Sequence, residues 1–327
     1  MYRGDLQRML PPLIVLLGMG LLSLALAVSI GSVPIPPGEF WAVVTGGGSE
    51  LHRTLIIELR LPRAAAAFAT GGLLGVAGAL MQVLLRNPLA DPYVLGLSGG
   101  AAVGALTAML FGLGVTAVSG SAFAGAMVSV VLVFGLAHGT GSWTPTRLLL
   151  TGVVVAAGWG AVITFMLALS PSEQIPGMLY WLMGDMAYAR SPWPAVTVLV
   201  VACVLMLPFG RSLNVLARGP LQAAALGVSV RPMTWTVYAV ASLLTAVAVT
   251  TAGAIGFVGL VVPHMLRLVL GNDQRLILPA SALGGGILLV LSDTLARTLL
   301  APEQLPVGVI TAMLGVPTFL YLLYRSR

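Results

Sequence analysis

Long apolar stretches, separated by short polar segments, repeat along nearly the whole chain. Each is close to the roughly 20 residues that an α-helix needs to cross a bilayer. They cover about 10–30, 64–85, 93–111, 115–137, 147–169, 193–209, 233–252, 254–270, 277–299 and 305–324. The pattern predicts an all-α polytopic membrane protein with about ten transmembrane helices, in a single transmembrane domain over residues 1–327.

The apolar region 233–270 is almost unbroken and needs a separate interpretation. As one helix it would be about 55 Å long, whereas the hydrocarbon core of a bilayer is about 30 Å thick. We therefore expect the chain to fold back within it. The small residues Thr250, Thr251, Ala252 and Gly253 predict the bend, because small side chains permit a reversal and close backbone approach.

Composition agrees with a membrane protein and excludes several functions. The chain is 58% hydrophobic and 8% charged, with a mean hydropathy of +1.02. Its basic residues are all arginine and do not cluster as a nucleic-acid site requires. Without lysine the phosphate-binding loop of ATPases cannot form, and three histidines at unrelated positions predict no metal site. We expect neither enzymatic activity nor a cofactor.

The arginines predict the orientation of the chain. With ten crossings, only five arginines fall on one side, and all the others fall on the opposite side. Those five are Arg53, Arg60, Arg63, Arg190 and Arg297. Since the arginine-rich side of a membrane protein is cytoplasmic, both termini are predicted to be cytoplasmic.

Three of the five arginines on the non-cytoplasmic side lie at the ends of apolar stretches. They are Arg60, Arg63 and Arg297. They form either a docking patch or ordinary interfacial residues paired with nearby acids such as Glu58. Asp293 and Arg297, four residues apart on one predicted helix, form either a local ion pair or an ion site. The sequence alone leaves these alternatives open.

The segment 209–232 is the longest predicted cytoplasmic connection. It is expected to contain two short helices, Leu213–Arg218 and one from Pro220 to a terminating Gly227, with Gly219 between them. It is either a knob for a soluble partner or an amphipathic linker. A second feature, RNPLADP, predicts a rigid turn shaped by Asn87, Pro88, Asp91 and Pro92.

Several motifs occur in a fixed order. They are RLPR at 60–63, GALMQ and RNPLADP at 78–92, LGLSGGAAVG at 95–104, WLMG at 181–184, ALGV at 225–228, GAIGFVGLVVPHMLR at 253–267, DTLAR at 293–297 and PVGVITAMLGVPTFLYLL at 306–323. Together they closely resemble the FecCD-type permease subunits of ABC importers for ferric siderophores, haem and cobalamin. The resemblance spans nearly the whole chain.

The resemblance implies the ABC type II importer permease fold and a set of partners. A permease of this kind pairs with a second copy in the bacterial inner membrane. Two cytoplasmic ATPase subunits supply the energy, and a periplasmic binding protein delivers the cargo. The cargo would be a ferric siderophore, haem or cobalamin, and these motifs do not distinguish among the three. An ion-coupled secondary transporter is the alternative from a different class.

The resemblance also assigns roles to residues. Arg60, Arg63 and Arg297 would meet glutamates on the two lobes of the binding protein. Thr144 and Thr146 would narrow the cytoplasmic gate, although a threonine before a helix also caps it. The ATPase-coupling residues would be Leu213, Asn214, Leu216, Gly219, Pro220, Gln222, Leu226 and Gly227. The chain departs from the family at Pro220, where many relatives carry an acidic residue.

Overall fold

The computed structural model describes residues 3–31, 33–138, 144–189 and 191–325. Arg190 and Arg327, which entered the charge argument, lie outside these ranges. All regular structure within them is helical. The α-helices are α1 Arg3–Ser29, α2 Pro37–Val44, α3 Glu50–Arg53, α4 Leu61–Leu84, α5 Leu97–Leu110, α6 Val115–His138, α7 Pro145–Leu169, α8 Ile175–Met183, α9 Trp193–Met206, α10 Gly210–Leu216, α11 Pro220–Ala225, α12 Val230–Ala252, α13 Val258–Leu270, α14 Gln274–Thr298 and α15 Val307–Arg325.

Eight segments of the described chain are long and apolar enough to cross a membrane. One of them, Glu50–Leu84, joins α3 to α4 through a π-helical stretch at Thr54–Arg60. Two shorter apolar helices, α5 and α13, supply the remaining predicted crossings. At 1.5 Å per residue these two are only about 20 Å long. The eight long segments and the two shorter helices together agree with the prediction of about ten transmembrane segments.

Helix α4 lies at the centre of the bundle, and 89% of the residues in its most apolar 18-residue stretch are buried. It packs against α9, α12, α13 and α14. The close packing depends on glycine, because a Cβ at Gly71, Gly75 or Gly78 would overlap a carbonyl oxygen of α14 or α13. Small residues let these backbones approach where a larger side chain would separate them.

The predicted reversal after Thr250 is confirmed. Helix α12 ends at Ala252, and Gly253 adopts a φ of +69°. A side chain at Gly253 would also overlap the carbonyl oxygen of Trp181. Both the positive φ and this close contact therefore favour glycine here. Phe257, also at a φ of +69°, precedes α13. The long apolar region thus becomes two antiparallel helices.

The glycines of LGLSGGAAVG form a second close contact, between α5 and α6. A Cβ at Gly100 would overlap the carbonyl oxygen of Gly125, and one at Gly104 would overlap that of Ser121. This agrees with the motif's small-residue character.

Helix α14 separates two candidate functional regions. Its 25 residues span about 37 Å, enough to cross the hydrocarbon core. It begins at Gln274, beside the short helix α10. It ends at Thr298, one residue after Arg297. We call the first end the loop face and the second end the arginine face.

Candidate functional sites at the two faces

Three charged side chains form one cluster at the arginine face. The Asp293 carboxylate, whose side chain is 1% exposed, accepts hydrogen bonds from Arg63 and Arg297. Arg63 Nη2 lies 2.9 Å from Oδ1, and Arg297 Nε lies 3.1 Å from Oδ2. Arg63 also donates to Gln304 Oε1 at 3.0 Å. One carboxylate therefore pairs with two guanidinium groups.

Arg60 has a different environment from the one expected of a free docking residue. Its guanidinium group is buried and donates to the carbonyl oxygens of Val28, Ser29 and Val33. Arg297 adds a bond of 3.2 Å to the carbonyl oxygen of Ala27. Because the last carbonyls of a helix lack partners within the helix, these arginines cap the end of α1.

A pocket of about 370 Å³ opens beside these groups. Its lining includes all three arginines predicted to dock a partner, Arg60, Arg63 and Arg297, together with Glu58 and Gln304. The structure thus brings the predicted docking residues to one pocket. The acid that pairs with Arg63 and Arg297 is Asp293.

The predicted pair of short helices at the loop face is confirmed as α10 and α11. The first begins at Gly210, three residues before the predicted start. Gly219, at a φ of +125°, separates the helices, and Pro220 opens the second. Glycine suits this backbone conformation because it lacks a Cβ, and proline suits the first helical turn.

The predicted coupling residues divide into an anchored set and an exposed set. Leu213, Leu216 and Gly219 are buried, and Asn214 is half-buried. The exposed set is Pro220, Gln222, Leu226 and Gly227. Leu221, which the sequence analysis did not select, is 86% exposed and dominates the outer surface of α11.

Asn214 connects this segment to the start of α14. Its Nδ2 donates to Asp273 Oδ1 at 2.9 Å, and its Oδ1 accepts from the backbone N–H of Gln274 at 2.7 Å. Burial by itself raises the pKa of the Asp273 carboxyl, but hydrogen bonds from Arg275 and Asn214 outweigh it and lower the pKa below its usual value. These bonds join α10 to the beginning of α14.

Two side chains of the RNPLADP turn bond to backbone N–H groups within it. Asn87 Oδ1 accepts from the backbone N–H of Leu89 at 2.9 Å, and Asp91 Oδ1 accepts from that of Tyr93 at 2.7 Å. Pro92 begins a short 3₁₀ helix. Both side chains replace backbone partners that the turn removes.

Thr144 caps α7, because its Oγ1 accepts from the backbone N–H of Arg147 at 3.3 Å. The capping interpretation from the sequence is confirmed for this residue. Thr146 lies exposed in the first turn of the same helix. The gating role of both threonines stays a prediction.

Comparison with known proteins agrees with this architecture. The model of the FecCD transport family matches residues 16–325. The chain belongs to the FecCD transport family. It is a membrane permease subunit of an ABC importer, a class that works with ATPase and substrate-binding partners.

Individual relatives support the same assignment. A cobalamin import system permease of Halobacterium salinarum is 43% identical over 93% of this chain and 82% of its own length. A hemin transport system permease of Yersinia pestis is 39% identical over 83% of each chain. A solved structure, described as an inward-facing metal-chelate type ABC transporter, has a TM-score of 0.84 at 27% identity, covering 96% of this chain and 98% of its own.

The ion-coupled secondary transporter is not supported. That alternative required an ionisable residue in a transmembrane helix that could bind an ion. Its candidate, Asp293, is already bonded to Arg63 and Arg297. Membership of the permease family and the pairing of this carboxylate both argue against an ion-coupled carrier.

Proposed function

We propose that this chain, as one permease domain over residues 1–327, forms half of a homodimer that imports a metal chelate or a related macrocyclic cargo. Ferric siderophores, haem and cobalamin are the candidate cargoes. Transport would run from the arginine face, on the periplasmic side of the bacterial inner membrane, to the loop face. Both termini would then be cytoplasmic. The observation that carries the proposal is α14, which joins a cationic pocket to the helices at the opposite face.

The pocket at the arginine face suits carboxylates of a periplasmic binding protein. A guanidinium group carries five N–H donors, so Arg63 can bind a second carboxylate while it keeps its bond to Asp293. Of the three predicted docking arginines, Arg63 has the most exposed side chain. We therefore assign direct contact chiefly to Arg63. Arg60 and Arg297 contribute charge and hold the end of α1 in place.

At the loop face, segment 209–232 suits the coupling role. Exposed leucines, Leu221 and Leu226, offer an apolar contact to a cleft in the ATPase. The anchored residues Leu213 and Asn214 would carry the movement of that contact to α14. Two ATPase subunits, one for each permease copy, would supply the energy. Thr144 and Thr146 remain the proposed gate at the same face.

Uptake by reconstituted vesicles tests the function. The chain, its ATPase and its binding protein are assembled in proteoliposomes, and uptake of labelled haem, cobalamin and a ferric siderophore is followed. ATP supplied on the side of the membrane where the ATPase is bound should drive uptake of one cargo, and vanadate should stop it. Uptake driven by a proton gradient alone, without ATP, would contradict the proposal.

Replacing Arg63 with glutamine should weaken association with the binding protein about tenfold and reduce its dependence on salt. A charge at the edge of an interface mainly affects the rate and salt dependence of association. The affinity would be measured by surface capture at low and moderate salt. Arg53→Gln is the matched control, because Arg53 is exposed but does not line the pocket. Equal affinities for the two variants would contradict the docking role of Arg63.

Replacing Leu221 with aspartate should abolish stable binding of the ATPase. An interface contact of this kind depends on a few buried apolar side chains, and a charge would be desolvated without a partner. Co-purification of the ATPase with the permease measures the effect. Leu113→Asp is the control, since Leu113 is also exposed but lies in the loop between α5 and α6, toward the arginine face. Wild-type recovery of the ATPase with Leu221→Asp would exclude this contact.

A further inference from the structure

A second cavity, of about 680 Å³, lies at the loop face. It is bounded by the end of α4, by α10, by the last turns of α13 and by the start of α14. The arginines Arg86, Arg218 and Arg267 line it, and His264 lies beside them. Arg86 follows α4 and Arg218 follows α10, and Arg86 Nη1 lies close to Gly219. The cavity therefore concentrates positive charge between segments that are distant in sequence.

The acid that lines this cavity, Asp273, does little to neutralise it. Its carboxylate is already bonded to Arg275, with Nη2 to Oδ2 at 2.6 Å, and to Asn214. In contrast, Arg267 uses Nη2 to bond the carbonyl oxygen of Ala79, while its buried Nε has no partner in the described part of the chain. The charge balance of the cavity favours an anion.

Two buried amide groups give the cavity a second kind of chemistry. The side chains of Gln82 and Gln274 are each 2% exposed. Their nitrogens donate to the carbonyl oxygens of Leu260 and Asn272. Their Oε1 atoms have no hydrogen-bond partner among the described residues. Because buried polar atoms are almost always bonded, these two acceptors suit a ligand that donates O–H or N–H.

The edge of the cavity is apolar. Leu268 lines it, and the neighbouring side chains Met265 and Val269 on α13 are also exposed. Leu268 and Val269 are 64% and 80% exposed. A ligand in the cavity would thus meet both arginines and an exposed aliphatic surface. This combination is typical of lipid headgroup sites between transmembrane helices.

We propose that this cavity binds the headgroup of phosphatidylglycerol. The lipid phosphate would accept hydrogen bonds from Arg86, Arg218 and Arg267. The hydroxyls of the terminal glycerol would donate to Oε1 of Gln82 and Gln274, and the acyl chains would follow Leu268 along α13. Bound lipid would join α4 and α13 to α10, and so restrict movement of the coupling segment. Lipid binding does not depend on the proposed cargo or partners, whereas its effect on coupling rests on the proposed function.

Lipid titration of the purified full chain tests the proposal. Delipidated protein in detergent is titrated with phosphatidylglycerol, phosphatidylethanolamine and soluble glycerol 3-phosphate, and bound molecules are counted by native mass spectrometry. We expect preferential binding of phosphatidylglycerol. The double variant Arg86→Gln/Arg218→Gln should bind it about thirtyfold more weakly, because each arginine near a lipid headgroup contributes roughly fivefold. Arg211→Gln/Arg231→Gln removes two arginines outside the cavity lining and serves as the control.

Gln82→Met distinguishes a headgroup site from a general attraction of charge. It keeps the length of the side chain but removes the Oε1 acceptor. It should reduce the preference for phosphatidylglycerol over phosphatidic acid, while binding of phosphatidic acid persists. Equal losses in the Arg86/Arg218 and control double variants would overturn the proposal. So would glycerol 3-phosphate that competes at equal concentration, since the site would then bind a free anion.

Discussion

Replacement of Asp293 by asparagine should destabilise the permease by about 3–5 kcal/mol. The substitution preserves shape but removes the carboxylate that pairs with both the buried Arg297 and the half-buried Arg63. A buried charge that loses its partner costs more than the intact pair contributes, because the desolvation penalty remains. The loss is measured by thermal unfolding in detergent, with the folded fraction at each temperature determined by size-exclusion chromatography.

Two further variants make this expectation specific. Glu58→Gln removes an exposed acid from the same face and should change stability by less than about 0.5 kcal/mol. Adding Arg63→Gln to Asp293→Asn should recover part of the loss, because one unpaired cation is then removed. Additive effects in this double-mutant cycle would show that Arg63 and Asp293 are not coupled.

Replacement of Gly78 by alanine should cost about 3 kcal/mol or prevent accumulation of folded protein. The new Cβ would overlap the carbonyl oxygen of Gly259, so α4 and α13 would have to separate. Since α4 is the central helix, the displacement would spread to its other neighbours. The yield of monodisperse protein and its unfolding temperature measure the effect.

Gly135→Ala is the matched control for this second expectation. Gly135 lies in α6 with nothing within 4 Å of the position its Cβ would occupy. Alanine is the better helix former, so this change should be neutral or slightly stabilising. Similar losses of stability in the two variants would mean that the close contact between α4 and α13 is not what requires glycine at position 78.

Much of the fold could be predicted from local sequence. Apolar length gave the number of crossings, and the small residues at 250–253 placed the reversal between α12 and α13. Gly219 followed by Pro220 marked the boundary between α10 and α11. These features depend on backbone preferences and on burial in lipid, which act within a few residues. Local chemistry therefore determined them without reference to distant parts of the chain.

The arginine face shows what local sequence could not determine. The motifs drew attention to Arg60, Arg63 and Arg297 together, yet the structure gives them different environments. Arg60 is buried against the last carbonyls of α1, while Arg63 reaches Asp293, 230 residues away in the chain. A spacing of four residues indicated the Asp293–Arg297 pair, but nothing in the sequence indicated the second arginine. Leu221 was missed because exposure on α11 depends on which of its faces packs inward.

The sequence by itself determined the class of protein, the approximate number of crossings and, through its motifs, the permease family. Tertiary structure alone decided which arginines pair with Asp293 and which cap a helix. It also decided that Asn214 links α10 to the start of α14, and that three arginines and two buried glutamines share a cavity. The physical reason is range: helix formation and membrane insertion depend on neighbouring residues, whereas charge pairing and hydrogen bonding depend on the packing of distant helices.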